Sequence, residues 1–453
     1  MPTFPLITHE HADSVFAWRD GHPLSAARFL SDVMQLSRQL PAGRHMLNAC
    51  QDRYRFTVGL ATALVGNKVS LLPSTQTPEM IRQLSQFAPD AFCLTDSRDC
   101  AIALPQVHFP DFSEQDNRST EFSVPHIDAD QLVAYVFTSG STGTPVPHRK
   151  TWGALVRNVQ SEAQLCGVND GRPHAVIGTV PAQHMYGFES TVLMVMQSAN
   201  ALVAGQFFYP ADICSLIASV PHPRVLVSTP VHMRSLISAG LDVPTVDLIL
   251  SATAPLSLPL AQELEAKLQA PLLEIYGSTE TGQIAVRNST RTQEWTLFSG
   301  VRMRQEGEVT WAFGGHVEQP TPMNDVIEMV GDDRFLLHGR MADLINIAGK
   351  RNSLAYLNLQ LNSIPGVLDG AFFMPDETAP DGVTRLTAFV VAPQLTAPAL
   401  MAALRERIDP VFLPRPLHFV DALPRNATGK LPREALQALA FSRAGQATEG
   451  NAA

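Results

Sequence analysis

The chain has 453 residues, of which 45% are hydrophobic and 17% charged, and a formal net charge of −10. That length exceeds what one hydrophobic core usually serves, so two or three domains are expected. The composition excludes a disordered polymer, and the acidic balance argues against nucleic acid or an anionic membrane surface as a partner. Five scattered cysteines form no CxxC pair; neither a disulfide framework nor a zinc site is expected, and a reducing, cytoplasmic setting fits. No signal peptide is expected at the start of the sequence, and no uninterrupted apolar run of about 20 residues predicts a membrane span.

Residues 24–40 carry apolar side chains at helical spacing and are followed by Gly43 as a stop. Residues 56–65 read as a second helix and 69–72 as a short strand ended by Pro73. Short buried runs rich in β-branched residues follow at 133–137, 175–177, 225–227, 248–250 and 273–275, separated by longer amphipathic stretches. This βαβ alternation predicts parallel sheets covered by helices, with ligands at the carboxyl ends of the strands. After Glu280 the pattern changes to short antiparallel strands over 295–311, turning at Gln305-Glu306-Gly307. A strand-like run at 386–391, a helix at 397–408 and a strand at 417–420 complete a smaller unit. The expected fold class is α/β: a large N-terminal domain of parallel sheets with a small β-barrel-like part (residues 1–340), then a small mobile α+β domain (341–441) and a disordered tail (442–453).

Four segments carry chemistry. Phe137-Thr138-Ser139-Gly140-Ser141-Thr142-Gly143-Thr144-Pro145 runs from a strand into hydroxyls and glycines whose backbone N–H groups can converge on phosphate. It is not a Walker A loop. Glu274-Ile275-Tyr276-Gly277-Ser278-Thr279-Glu280 offers an aromatic face for a base, hydroxyl donors and a carboxylate suited to Mg²⁺. Asp325 can accept from a ribose diol, and Gly339-Arg340 adds a donor. Lys430 follows Gly429 in a turn near the end of the chain, where it can swing into a site built elsewhere. Taken singly, each has an ordinary structural reading: a surface linker, a capped strand end, exposed charges.

Together and in this order they resemble the adenylate-forming superfamily of acyl- and aryl-CoA synthetases, luciferases and peptide-synthetase adenylation domains. The spacing of Asp325 and Arg340 and the segment Pro181-Ala182-Gln183-His184-Met185-Tyr186-Gly187 match the same pattern, and Ala252-Thr253-Ala254-Pro255-Leu256 is similar to the stretch before the adenine loop. The resemblance implies ATP and Mg²⁺ as cofactors and an acyl-adenylate intermediate. The acyl group would pass to CoA or an acyl carrier protein. It further implies that Thr138, Ser139, Gly140, Ser141, Thr142, Gly143 and Thr144 hold the β- and γ-phosphates. Tyr276, with Gly277, Ser278 and Ala254, would frame the adenine, and Thr279 would contact the α-phosphate. Glu280 would hold the metal, while Asp325 and Arg340 bind the ribose. Lys430 would stabilise charge during adenylation, brought in by rotation about a hinge near Ala342. His184, Met185, Tyr186, Gly187, Ser251, Ala252 and Thr253 would line the acyl pocket.

The chain departs from the pattern in places. Val146 stands where the phosphate loop commonly continues with Lys, and Arg149 or Lys150 is a candidate replacement. Asn346 stands where a Lys associated with thiol transfer is frequent, and Ala252-Thr253 adds bulk where glycines are common. The segment 184–188 has no Asp to pair with an α-ammonium, which disfavours an amino-acid substrate and favours an aromatic or longer acyl acid. Residues 147–152 look similar to stand-alone ligases found with aryl-polyene and related pigment pathways. Two alternatives stand beside the acid–thiol ligase: an adenylate-forming ligase with a non-thiol acceptor, and a non-catalytic binder of nucleotide or adenylate.

Overall fold

The computed structural model describes residues 2–73, 75–112, 122–138, 145–205, 209–307, 309–340, 344–347, 350–375, 386–426 and 429–449. Two sheets organise the large domain. The smaller has six strands in the spatial order Val146–Thr151, Leu132–Thr138, Val69–Leu72, His45–Asn48, Phe92–Thr95 and Gln106–His108. All of its pairings are parallel except the first, an antiparallel hairpin with Thr138 opposite Val146. Val69–Leu72 and Phe92–Thr95 are buried along their whole length and His45–Asn48 at all but His45, as a parallel sheet covered on both faces requires.

The larger sheet has eleven strands. Its parallel centre runs Leu272–Ser278, Leu248–Ser251, Arg224–Ser228, Ala175–Gly178 and Ala201–Val203 and on to Val15–Arg19. On the other side of Leu272–Ser278 the sheet turns antiparallel through Gly282–Arg287, Trp295–Leu297, Arg334–Arg340 and Asp325–Met329. Where a small β-barrel-like part was expected, Val301–Glu306, Val309–Gly314 and Val317–Met323 form a three-stranded antiparallel meander whose Val301, Met303, Ala312 and Val317 join the main core.

Local chemistry moves two element boundaries. The first helix spans Ala26–Ser37, with Ser25 accepting from the Arg28 N–H as its cap, so Leu24 falls in the preceding strand His22–Ser25. The second begins at Arg53 because the Asp52 side chain caps it.

The residues after 344 bury two hydrophobic clusters of their own, one around Leu357, Leu361, Val390 and Leu400 and one around Phe373, Phe389 and Leu436. Their framework is the helix Leu354–Asn362, a sheet of Asp369–Phe373, Thr387–Val391 and Leu417–Phe419, and the helix Ala397–Arg405. The last helix, Arg433–Glu449, runs through 442–449, where the sequence suggested a disordered tail; its Ala, Gln, Arg and Glu are good helix formers. The hinge expected near Ala342 lies outside the described residues. Among the described residues no helix is long and apolar enough to cross a membrane.

Candidate active site

The hydroxyl- and glycine-rich segment lies in sequence between the antiparallel strands Leu132–Thr138 and Val146–Thr151. Residues Ser139, Gly140, Ser141, Thr142, Gly143 and Thr144 lie outside the described residues; Thr138, at their entrance, has its Oγ1 2.9 Å from His148 Nε2 on the return strand. Side chains alternate across a strand, and this separates the two candidate cations. Arg149 is exposed. Lys150 turns inward and is 7% exposed, with its Nζ donating to the Glu280 carbonyl oxygen at 3.1 Å. Burial lowers the Lys150 pKa, opposed by the carboxylates of Glu189, Glu280 and Glu318.

Tyr276 and Glu280 lie at the other side of this junction. The strand Leu272–Ser278 reverses into Gly282–Arg287 through a tight turn in which Ser278 and Thr281 exchange hydrogen bonds of 3.2 and 3.1 Å. The turn makes Thr279 and Glu280 a hairpin tip and not the start of a helix. Gly277 is required here, because a Cβ would collide with the Gly282 carbonyl. The Glu280 carboxylate is 41% exposed and 3.7 Å from His148 Nε2.

The Tyr276 hydroxyl donates to Asp325 Oδ2 at 2.7 Å, and its ring leans on Trp295 and Phe335, with centroids 5.5 and 5.6 Å away. Asp325 and Arg340 stand directly opposite each other in the antiparallel pair Asp325–Met329 and Arg334–Arg340. Their separation in sequence is therefore the span of one hairpin.

The pocket segment follows the strand Ala175–Gly178. Arg53, fully buried, donates to the carbonyls of Gly178 and Val180 at 3.0 and 2.7 Å and to Thr191. It thereby clamps both ends of the stretch containing His184, Met185, Tyr186 and Gly187. A Cβ at Gly187 would collide with the Pro181 carbonyl. Met185 and Tyr186 pack in the main core. His184 is pushed down to about 4 by burial first and the Lys430 ammonium second, so its ring is neutral. Ser251 ends the neighbouring strand and is 1% exposed, with no hydrogen-bond partner for its Oγ among the described residues. Ala252, Thr253 and Ala254 continue from it half-buried, and Thr253 holds φ +79°, a left-handed conformation that a β-branched residue resists.

Lys430 reaches this region from the small domain. Gly429, at φ +77°, packs against Val231 and Thr229 of the large domain, so closely that a Cβ added to it would stand 3.0 Å from Val231 Cγ2. The Lys430 N–H donates to Asn426 Oδ1 at 2.9 Å, and its charge is felt at His184. The Arg340 and Asn346 side chains are outside what the structure describes.

Sequence reasoning did not single out a buried polar chain under the Glu280 turn. Asn158 Nδ2 donates to Glu189 Oε1 at 3.1 Å and to the Gln283 carbonyl at 3.3 Å. The Gln283 amide oxygen faces Ser190 Oγ at 2.7 Å while its Nε2 donates to the Glu162 carboxyl at 3.1 Å, and Ser190 Oγ donates to Glu162 Oε1 at 2.5 Å. Burial raises both Glu162 and Glu189 to about 8, with Lys150 opposing the shift at Glu189. The available signal was Glu189 beside the apolar run Val192 to Met196; no comparable run surrounds Glu162.

Residues 35–333 match the model of a family described as AMP-binding enzyme, and 360–430 that of the AMP-binding enzyme C-terminal domain. The sequence is 30% identical over 297 residues to 4-coumarate–CoA ligase of Rhodobacter capsulatus, covering 65% of this chain and 73% of that protein. It is 26% identical over 365 residues to 4-chlorobenzoate–CoA ligase of Arthrobacter sp, covering 71% and 68%. The fold is similar to that of o-succinylbenzoate CoA synthetase from Bacillus subtilis, solved with its acyl-adenylate intermediate (TM-score 0.79, 18% identity, 96% of this chain and 98% of that one). The same synthetase solved with ATP and magnesium gives a TM-score of 0.78 at 18% identity, covering 96% and 100%.

Proposed function

The chain belongs to the AMP-binding enzyme family, and on that premise we propose that it is an ATP-dependent acid–thiol ligase working through an acyl-adenylate, with an aromatic acid as substrate. The observation that carries this reading is the packing of Gly429, the residue before Lys430, against Val231 and Thr229, which sets the small domain's lysine turn on the large domain. Relatives named for coumarate and chlorobenzoate support an aryl acid and CoA as acceptor. An acyl carrier protein is the alternative acceptor, motivated by the resemblance of residues 147–152 to pigment-pathway ligases.

A carboxylate is a poor electrophile because its charge and resonance repel a nucleophile. In the proposed first step its oxygen attacks the α-phosphorus of ATP, and the bond to pyrophosphate breaks. Lys430 stands by the pocket to offset the charge that develops. In the second step a thiolate sulfur attacks the carbonyl of the mixed anhydride, forming the thioester and releasing AMP.

Tyr276 would stack on the adenine, its ring braced by Trp295 and Phe335. Asp325, oriented by the Tyr276 hydroxyl, would accept from the ribose with help from Arg340. Thr138 and the glycine-rich tip would hold phosphate, and Thr279 would contact the α-phosphate. Mg²⁺ fits the donor set, since Glu280 offers a partly exposed carboxylate of the hard-oxygen type the ion prefers; bound there, it would neutralise phosphate charge. Ser251, Ala252 and Thr253 would close the acyl pocket against His184 and Tyr186. A neutral His184 adds no charge to that pocket, which suits an aryl ring.

The test is ATP–pyrophosphate exchange across benzoates, cinnamates, fatty acids and amino acids. Exchange confined to aryl acids supports the proposal. Exchange with amino acids alone would overturn the substrate class, and ATP binding without exchange from any acid would favour a non-catalytic binder.

A further inference from the structure

The helix Pro230–Ser238 of the large domain meets the small domain twice. Its cap Thr229 and its residue Val231 form the surface on which Gly429 rests. One turn further on, Arg234 Nη1 donates to the Leu368 carbonyl and, at 3.2 Å, to Asn362 Oδ1. Asn362 is itself fixed, because its Nδ2 donates to the Asn358 and Gly370 carbonyls at 2.8 and 2.7 Å.

Next to Leu368 the chain continues into Asp369, which receives Arg425 through both carboxylate oxygens at 2.7 and 2.8 Å. Arg425 also donates to the Gly429 carbonyl at 2.9 Å. An unbroken path of directional contacts therefore runs from Arg234 through Leu368 and Asp369 to Arg425 and the residue before Lys430. Gly429 approaches Val231 closely in a left-handed conformation, so a side chain there would be strained as well as crowded.

We propose that Arg234 is a positioning residue for adenylation: it docks the small domain on the helix Pro230–Ser238 and, through Asp369, Arg425 and Gly429, seats Lys430 at the pocket. This rests on the reading of the chain as an adenylate-forming ligase in which Lys430 serves the first step. Arg234 touches no reacting group. A guanidinium held by two oxygens of the partner domain combines charge-assisted hydrogen bonds with a fixed direction, which a hydrophobic contact would not supply. Its loss should reduce the fraction of molecules with Lys430 in place and leave the nucleotide and acid sites intact.

The experiment is pyrophosphate exchange with an accepted acid, comparing the unaltered enzyme with Arg234→Gln, Arg234→Lys, Lys430→Ala and the double variant Arg234→Gln/Lys430→Ala. All are first shown to be folded by thermal unfolding. We expect Arg234→Gln to lower kcat by roughly 10-fold, the scale of one lost charged hydrogen bond, with KM for ATP and acid within about twofold of the unaltered enzyme. Arg234→Lys recovers part of the loss. The double variant is no slower than Lys430→Ala, because a residue acting only through Lys430 has nothing left to position. Unchanged kcat in Arg234→Gln while Lys430→Ala is impaired would overturn the docking role and leave the ligase reading intact. Unimpaired exchange in Lys430→Ala would overturn the reading itself. Losses that multiply in the double variant would show that Arg234 acts on the fold generally, and would also overturn the proposal.

Discussion

Lys150 Nζ donates to the backbone carbonyl of Glu280 at 3.1 Å, joining the return strand of the glycine-rich hairpin to the tip of the Tyr276 hairpin. Of the two cations the sequence offers after the phosphate loop, Lys150 is the one that reaches this turn. Lys150 is buried at the junction, and Arg149 faces solvent. Lys150→Met removes the donor that holds the Glu280 carbonyl and frees that turn, so exchange activity should fall by about 10- to 100-fold, with a raised KM for MgATP. Arg149→Met should stay within about twofold of the unaltered enzyme. Equal effects from the two substitutions would show that the charge acts at long range and not through the turn.

Lys430→Ala should lower the rate of adenylate formation by about 10²–10³, the cost of removing one oriented charge from a developing anion. Quenched single-turnover measurement of acyl-adenylate is the check. A change in KM without a change in rate would place Lys430 in ground-state binding instead.

Thr253 keeps φ +79° with a β-branched side chain. Thr253→Gly relieves about 1–2 kcal/mol of backbone strain, partly offset by the greater freedom of glycine in the unfolded chain. The large domain should melt about 1–2 °C higher. The same change widens the pocket beside Ser251, so a bulkier acid should gain activity relative to benzoate. A lower melting temperature together with an unaltered acid preference would overturn both expectations.

Glu162 is held protonated by burial, its pKa raised to about 8, whereas in the unfolded chain it ionises near the usual carboxylate value. Between those two values the folded protein keeps a proton that the unfolded chain has released. Stability therefore falls as pH rises through that window, at up to about 1.4 kcal/mol per pH unit from this group. Glu162→Gln should flatten the decline, so its advantage over the unaltered protein should grow from pH 5 to pH 8. Melting temperatures across that range decide it; parallel curves for the two proteins would mean Glu162 is ionised in the fold.

Much of this molecule is legible in its sequence because many of its parallel strands are short, buried apolar runs, and several candidate site segments follow such strands in sequence. The pairing of Asp325 with Arg340 was readable as a spacing, although the spacing does not disclose that the two are direct partners across a hairpin. What escaped depends on register and tertiary contact. Whether Lys150 or Arg149 turns inward follows from the hairpin pairing of Thr138 with Val146, which local sequence does not fix. Glu189 lies on Phe188–Leu193, buried at every position, and Glu162 lies on the buried face of Trp152–Leu165, opposite the exposed Arg157, Gln160 and Gln164, so neither carboxylate is told from a solvated one by local sequence. Arg234 reads as a surface arginine until Leu368, 134 residues later, is brought against it.

The private cores behind Leu357 and Phe389 carry a further implication for how the chain comes apart. Two bodies that each bury their own apolar surface, and that meet through contacts such as Arg234 with Leu368 and Gly429 with Val231, can unfold in separate transitions, and one melting temperature then does not describe the whole. A heating curve is then a sum of two transitions. Ligands that bridge the bodies should draw the two together, and ligands held by the large body alone should shift one and leave the other where it was.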